Sequence, residues 1–167
     1  MLEVTKGPER SLTSFMGDNW ELPTDIGLVD LADRVLTERL IDAGWSKEDT
    51  QDFVISVFHE ALINAFAHGN LGIPGGTPKI WRVALEKQKN NPTNKKVYVK
   101  IKIEGKKVTI IIRDEGDGYD YQQVPDPTRP ENQSRTTGRG GHNMQAFCDS
   151  ITHSNGGREI TIVKESK

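Results

Sequence analysis

The chain has 167 residues, near the common size of one domain and long enough to bury a substantial core. Its 22 basic and 24 acidic residues leave a net charge of -2, which gives no global drive toward nucleic acid or an anionic membrane. The longest apolar runs are far too short to span a bilayer, and the N-terminal MLEVTKGPERSLT has no hydrophobic signal core. A cytoplasmic protein with one domain over residues 1–167 is therefore expected.

Thr24 and Asp25 precede IGLVDLADRVLTERLIDAG, whose apolar residues recur at intervals of three and four. The pattern predicts a helix capped at its start and stopped by Gly44. Ser46 and Asp49, in SKED, form a capping-box-like start for a second helix. Within it, FHEALINAFAHGN at 58–70 sets Glu60, Asn64 and His68 four apart in an otherwise apolar run, and Ser56 extends the row backwards by one turn. A spacing of four aligns such side chains on a helix. An exposed face normally carries several long charged side chains per turn. This one offers one carboxylate, one amide and one imidazole between bulky apolar neighbours, so it reads as the wet floor of a cleft. Thr77-Pro78 then supplies a cap and a first-turn proline before KIWRVALEKQK, a short third helix.

After the loop NNPTN at 90–94, VYVKIKI alternates strictly, with Val97, Val99, Ile101 and Ile103 on one face and Tyr98, Lys100 and Lys102 on the other. That is a half-buried antiparallel strand. EGKK makes a tight hairpin into VTIIIRD, where Val108, Ile110 and Ile112 continue the buried face. DSITHS and REITIVKE, joined by NGG, read as a further hairpin. The fold class is α+β, a two-layer sandwich with helices on one face of a mixed, mostly antiparallel sheet. Eight lysines lie between Lys87 and Lys107, but without interleaved aromatics or an RNA-binding motif they read as a solvated strand face. Cys148 is the single cysteine, so no internal disulfide or CxxC site exists, and its neighbours Phe147 and Ile151 suggest core packing. The four histidines lack ligand spacing for a structural zinc site.

Two further segments carry chemistry. RDEGDGYD at 113–120 comes off the strand VTIII. Its two glycines let backbone approach a ligand closely, and a carboxylate at a strand end can accept from an amino group. TTGRGGHNMQAF at 136–147 is a glycine-rich turn that opens a helix. Helix N-termini bind anions through unpaired N–H groups, and Arg139 could add charge-assisted contacts to phosphate. Between them, the polar, proline-rich stretch at about 119–137 reads as a lid.

In this order, ExxxNAxxHGN on a helix, DxGxG after a strand, a long lid and GRG opening a helix resemble the N, G1 and G2 boxes of the GHKL (histidine-kinase-like) ATP-binding superfamily. EALINAFAHGNLGIP, DEGDGYD with the following PDPTRPEN, and the terminal GREITIVKES are similar to the anti-sigma-factor serine/threonine kinases of bacterial partner-switching systems. The resemblance runs from about Asp25 to the end of the chain. It implies the Bergerat fold and an ATP–Mg²⁺ site. Glu60 would be the general base that polarises a serine hydroxyl, and Asn64 would supply an amide oxygen to Mg²⁺. Asp114 would accept from the adenine amino group, Gly116 and Gly118 would let the base lie against backbone, and Arg135, Gly138, Arg139 and Gly140 would hold the nucleotide, the last three around its phosphates. His68 and Asn70 would lie near the triphosphate.

The implied partners are an antagonist protein with a STAS domain and a sigma factor, with no nucleic acid and no membrane; a homodimer is compatible with the resemblance. Two departures from the family stand out. Gly141, His142 and Asn143 follow GRG where apolar residues are usual, and Arg158 follows Gly157 where many members place a threonine near adenine. The first favours a competing reading, a nucleotide-binding adaptor that binds a partner without transferring phosphate; Glu60 favours the kinase.

Overall fold

The computed structural model describes residues 12–118 and 144–167. Among them, strands β1 (Asn19–Pro23), β2 (Lys96–Glu104), β3 (Lys107–Arg113), β4 (Ser150–Ser154) and β5 (Glu159–Glu165) form one sheet in the order β1-β2-β3-β5-β4. Every pairing is antiparallel. The alternation of β2 sets its register: Val97, Val99 and Ile101 are at most 1% exposed while Lys100 and Lys102 face solvent. A slip of one residue would exchange those two sets. Ile101 stands opposite Ile110, Ile110 opposite Ile162 and Ile162 opposite Ile151, so one row of isoleucines crosses four strands. Such cross-strand apolar pairs contribute roughly 0.2–1 kcal/mol each over alanine. Gly105, at φ +61°, makes the β2–β3 turn.

The helices cover the apolar face. Helix α1 (Leu28–Asp42) buries Leu28, Ala32, Leu36 and Leu40 at intervals of four. Its regular turns begin later than Thr24–Asp25, because Thr24 is engaged elsewhere and Asp25 holds the entry turn before Leu28. Thr24 donates to the Lys95 carbonyl at 2.6 Å, and Asp25 accepts from the Gly27 N–H and from Gln88 of α4 (Ile80–Asn90). At the other end, Gly44 takes φ +100° and its N–H reaches the Ile41 carbonyl, the expected glycine stop. Helix α4 also begins later than Thr77-Pro78 suggested. Thr77 donates to the Pro74 carbonyl within the preceding turn, and Lys79 at φ 54° leads into the helix.

The longest helical run is continuous from Lys47 to Asn70. It comprises α2 (Lys47–Phe53), a wide turn (Val54–Phe58), α3 (His59–Asn64) and a second wide turn (Ala65–Asn70). Ser46 caps it by accepting from the Asp49 N–H at 3.0 Å, as the SKED start required. The wide turns bond i to i+5, as in His59 N–H to Val54 carbonyl and Leu71 N–H to Phe66 carbonyl. In a regular α-helix a row at spacing four drifts by about 40° per step. The looser winding of the wide turns opposes that drift, so one row can face one direction over its full length. No described helix is long and apolar enough to cross a membrane.

Candidate functional site

Ser56, Glu60, Asn64 and His68 are all half-buried, between the fully buried Val57, Phe58, Leu62 and Phe66. That intermediate burial fits a cleft floor. Glu60 and Asn64 make no side-chain hydrogen bond to any other described residue, so their oxygens are available to a ligand. His68 is engaged: its Nδ1 donates to the Ile73 carbonyl at 2.7 Å, which fixes the turn leaving the helix.

The row ends where the loop after β3 begins. Gly69 packs so closely on Asp114 that a Cβ there would lie 2.4 Å from the Asp114 carboxyl carbon. Asp114 is 7% exposed. One of its oxygens accepts from the Gly116 N–H at 2.9 Å, and the other has no donor among the described residues. Burial is the main influence on this carboxyl and pushes its pKa above the usual carboxylate value, against the Gly116 N–H and the positive charges of Arg158, Lys95 and Arg113. A carboxylate oxygen lacking a donor, on a residue only 7% exposed, suits a ligand amino group.

Gly116 and Gly118 are required by the fold itself. A Cβ on Gly116 would meet the Gly69 carbonyl oxygen at 2.1 Å, and one on Gly118, at φ +82°, would meet that of Gly156 at 2.3 Å. The glycine spacing thus lets the loop press against the helix end on one side and the β4–β5 hairpin on the other. Asn70, 5% exposed, ties the same loop inward. Its Oδ1 accepts from the Glu115 N–H at 2.7 Å and its Nδ2 donates to Thr24 Oγ1 at 3.0 Å. Asn70 therefore joins the helix end, the glycine loop and the segment after β1, a framework role.

Arg158 closes the other side. Its Nε donates to the Gly116 carbonyl at 2.7 Å, its Nη2 to the Asp117 carbonyl at 3.0 Å and its Nη1 to the Asn155 carbonyl at 3.2 Å. Its backbone carbonyl accepts from the Asp114 N–H at 2.9 Å. Gly69 and Arg158 are the residues that sequence reasoning missed as parts of the site. The glycine of HGN and the departure from threonine were the only signals for them.

The expected lid at about 119–137, and with it Arg135, Gly138, Arg139 and Gly140, lie outside the described residues. Cys148 packs partly buried against the core, its thiol donating to the Met144 carbonyl at 3.0 Å, and burial pushes its pKa up, as befits an unreactive thiol. On the α1 side of the long helix, His59 Nδ1 bonds Asp33 Oδ2 at 2.5 Å and its ring stacks on Trp81. Asp30 joins them to bring three ligand atoms within 4.8 Å of one another, a grouping that spacing could not reveal because its members sit on two helices.

Helices on one face of an antiparallel sheet, with a strand-end carboxylate and a glycine loop packed on the end of a helix, define a Bergerat-type ATP-binding domain. The chain belongs to the histidine kinase-like ATPase domain family, which it matches over residues 22–164. No curated protein matches the chain significantly. Domains of this family typically bind ATP with Mg²⁺, and the buried Asp114 acceptor and the Glu60–Asn64 row fit such a ligand.

Proposed function

We infer that the protein is an ATP- and Mg²⁺-dependent serine/threonine protein kinase that acts as an anti-sigma regulatory factor, phosphorylating a STAS-type antagonist and sequestering a sigma factor. The observation that carries the reading is a half-buried row bearing a carboxylate and an amide, ending against a buried carboxylate on a glycine loop. Asp114 accepts from the adenine amino group, so the triphosphate lies toward the long helix. Asn64 would hold Mg²⁺ through its amide oxygen; the ion, when bound, offsets triphosphate charge. Glu60 takes the proton from the acceptor serine as the serine oxygen forms its bond to the γ-phosphorus, and ADP leaves with the electrons of the broken P–O bond.

The adaptor reading draws support from Gly141, His142 and Asn143, since glycine costs about 0.8–1.0 kcal/mol against alanine inside a helix. Single-turnover transfer from labelled ATP to a STAS-type partner separates the two. Glu60→Gln should keep ATP binding and lower transfer by roughly 10²- to 10⁴-fold, whereas Asn64→Ala should weaken the Mg²⁺-dependent binding itself. Unchanged transfer in Glu60→Gln would remove the proposed base. No transfer by the wild type, with ATP and partner both bound, would establish the adaptor.

A further inference from the structure

We propose that Arg158 is a positioning residue of the base subsite, its guanidinium holding the glycine loop after β3 so that Asp114 presents its carboxylate to the adenine amino group. The proposal rests on the nucleotide reading given above and adds a residue that does not itself touch the base. A loop pressed between Gly69 and Gly156 leaves consecutive carbonyls, those of Gly116 and Asp117, without ladder partners. Arg158 satisfies both from one planar fork, at 2.7 and 3.0 Å, and its Nη1 reaches back to the Asn155 carbonyl of its own hairpin. A planar fork is suited to acceptors side by side, which a flexible ammonium or a short hydroxyl cannot span.

The backbone of the same residue accepts from the Asp114 N–H, so both ends of Arg158 bear on the loop that carries the acceptor. Its charge acts in the same direction. Burial disfavours the ionised form of Asp114, and Arg158 is the foremost of the positive charges opposing that effect. A threonine at this position would reach neither carbonyl.

The test compares wild type, Arg158→Ala and Arg158→Lys for binding of ATP and of inorganic tripolyphosphate with Mg²⁺, with circular dichroism confirming the fold. Loss of charge-assisted bonds should weaken ATP binding by about tenfold in Arg158→Ala and leave tripolyphosphate affinity unchanged, because only the base end is loosened. A general structural defect would weaken both ligands. Arg158→Lys should resemble Arg158→Ala, and methylguanidine added to Arg158→Ala should recover part of the ATP affinity. Equal ATP affinity in Arg158→Ala and wild type overturns the proposal alone. A parallel fall for tripolyphosphate, or full affinity in Arg158→Lys, also overturns it. Absence of ATP binding by the wild type overturns the nucleotide reading and the base-subsite role together.

Discussion

Replacing Asp114 by asparagine should separate the two things this residue does. The folded protein holds its carboxyl above the ordinary value of 3.8, chiefly through burial, so the native state binds that proton more tightly than the unfolded chain does. A group shifted in this direction costs stability at pH values above its folded pKa, and the cost disappears as the pH falls through that value toward 3.8. Asp114→Asn removes the cost at every pH while keeping an oxygen for the Gly116 N–H. At neutral pH the variant should melt at or above the wild-type temperature, with the gap closing on acidification.

Nucleotide binding should move the opposite way. With its oxygen turned to Gly116, the amide presents an NH₂ group where the adenine amino group needs an acceptor. A hydrogen bond to a charged group contributes about 1.5–3 kcal/mol, so the dissociation constant for ATP should rise by roughly 10- to 100-fold. Thermal unfolding across pH and calorimetric titration with ATP measure the two effects. A variant that loses stability at neutral pH, or that binds ATP as tightly as the wild type, would refute the reasoning.

Gly69→Ala places a Cβ 2.4 Å from the Asp114 carboxyl carbon and must displace it. The overpacking costs about 1–3 kcal/mol, more than the ~1 kcal/mol of helix propensity gained, so both melting temperature and ATP affinity should fall; a more stable variant would contradict the contact. The bond to Asp33 raises the His59 pKa above 6.5 and contributes stability that is full below 6.5 and lost as pH rises through the folded value. Asp33 is itself pushed up from 3.8 by burial, and the bond and charge of His59 oppose that rise in the wild type. Melting temperatures of wild type and His59→Gln should therefore converge as pH rises through that window, and a constant gap would exclude the linkage.

The β2–β3 hairpin and the β4–β5 pair were legible because alternation at spacing two runs for several residues in each, with glycine at each turn. β1 was not, since NWELP offers only Trp20 and Leu22 as inward residues before Pro23 ends it. The starts of α1 and α4 differ because Thr24 is held by the distant Lys95 carbonyl, Asp25 shares its carboxylate with Gln88, and Thr77 bonds back to the Pro74 carbonyl in place of forward into the helix. The polar row and Asp114 could be found from spacing. The contact of Gly69 with Asp114 could not, because it depends on the wide turn that ends the long helix. The reach of Arg158 to a loop 42 residues earlier is likewise visible only in three dimensions.

Titration of the wild-type protein with ATP, with and without Mg²⁺, tests the central claim most directly. Saturable binding of one nucleotide per chain is predicted, tighter with Mg²⁺ and lost in large part in Asp114→Asn. Failure to bind at millimolar ATP with Mg²⁺ present, by a protein that is folded, would contradict it.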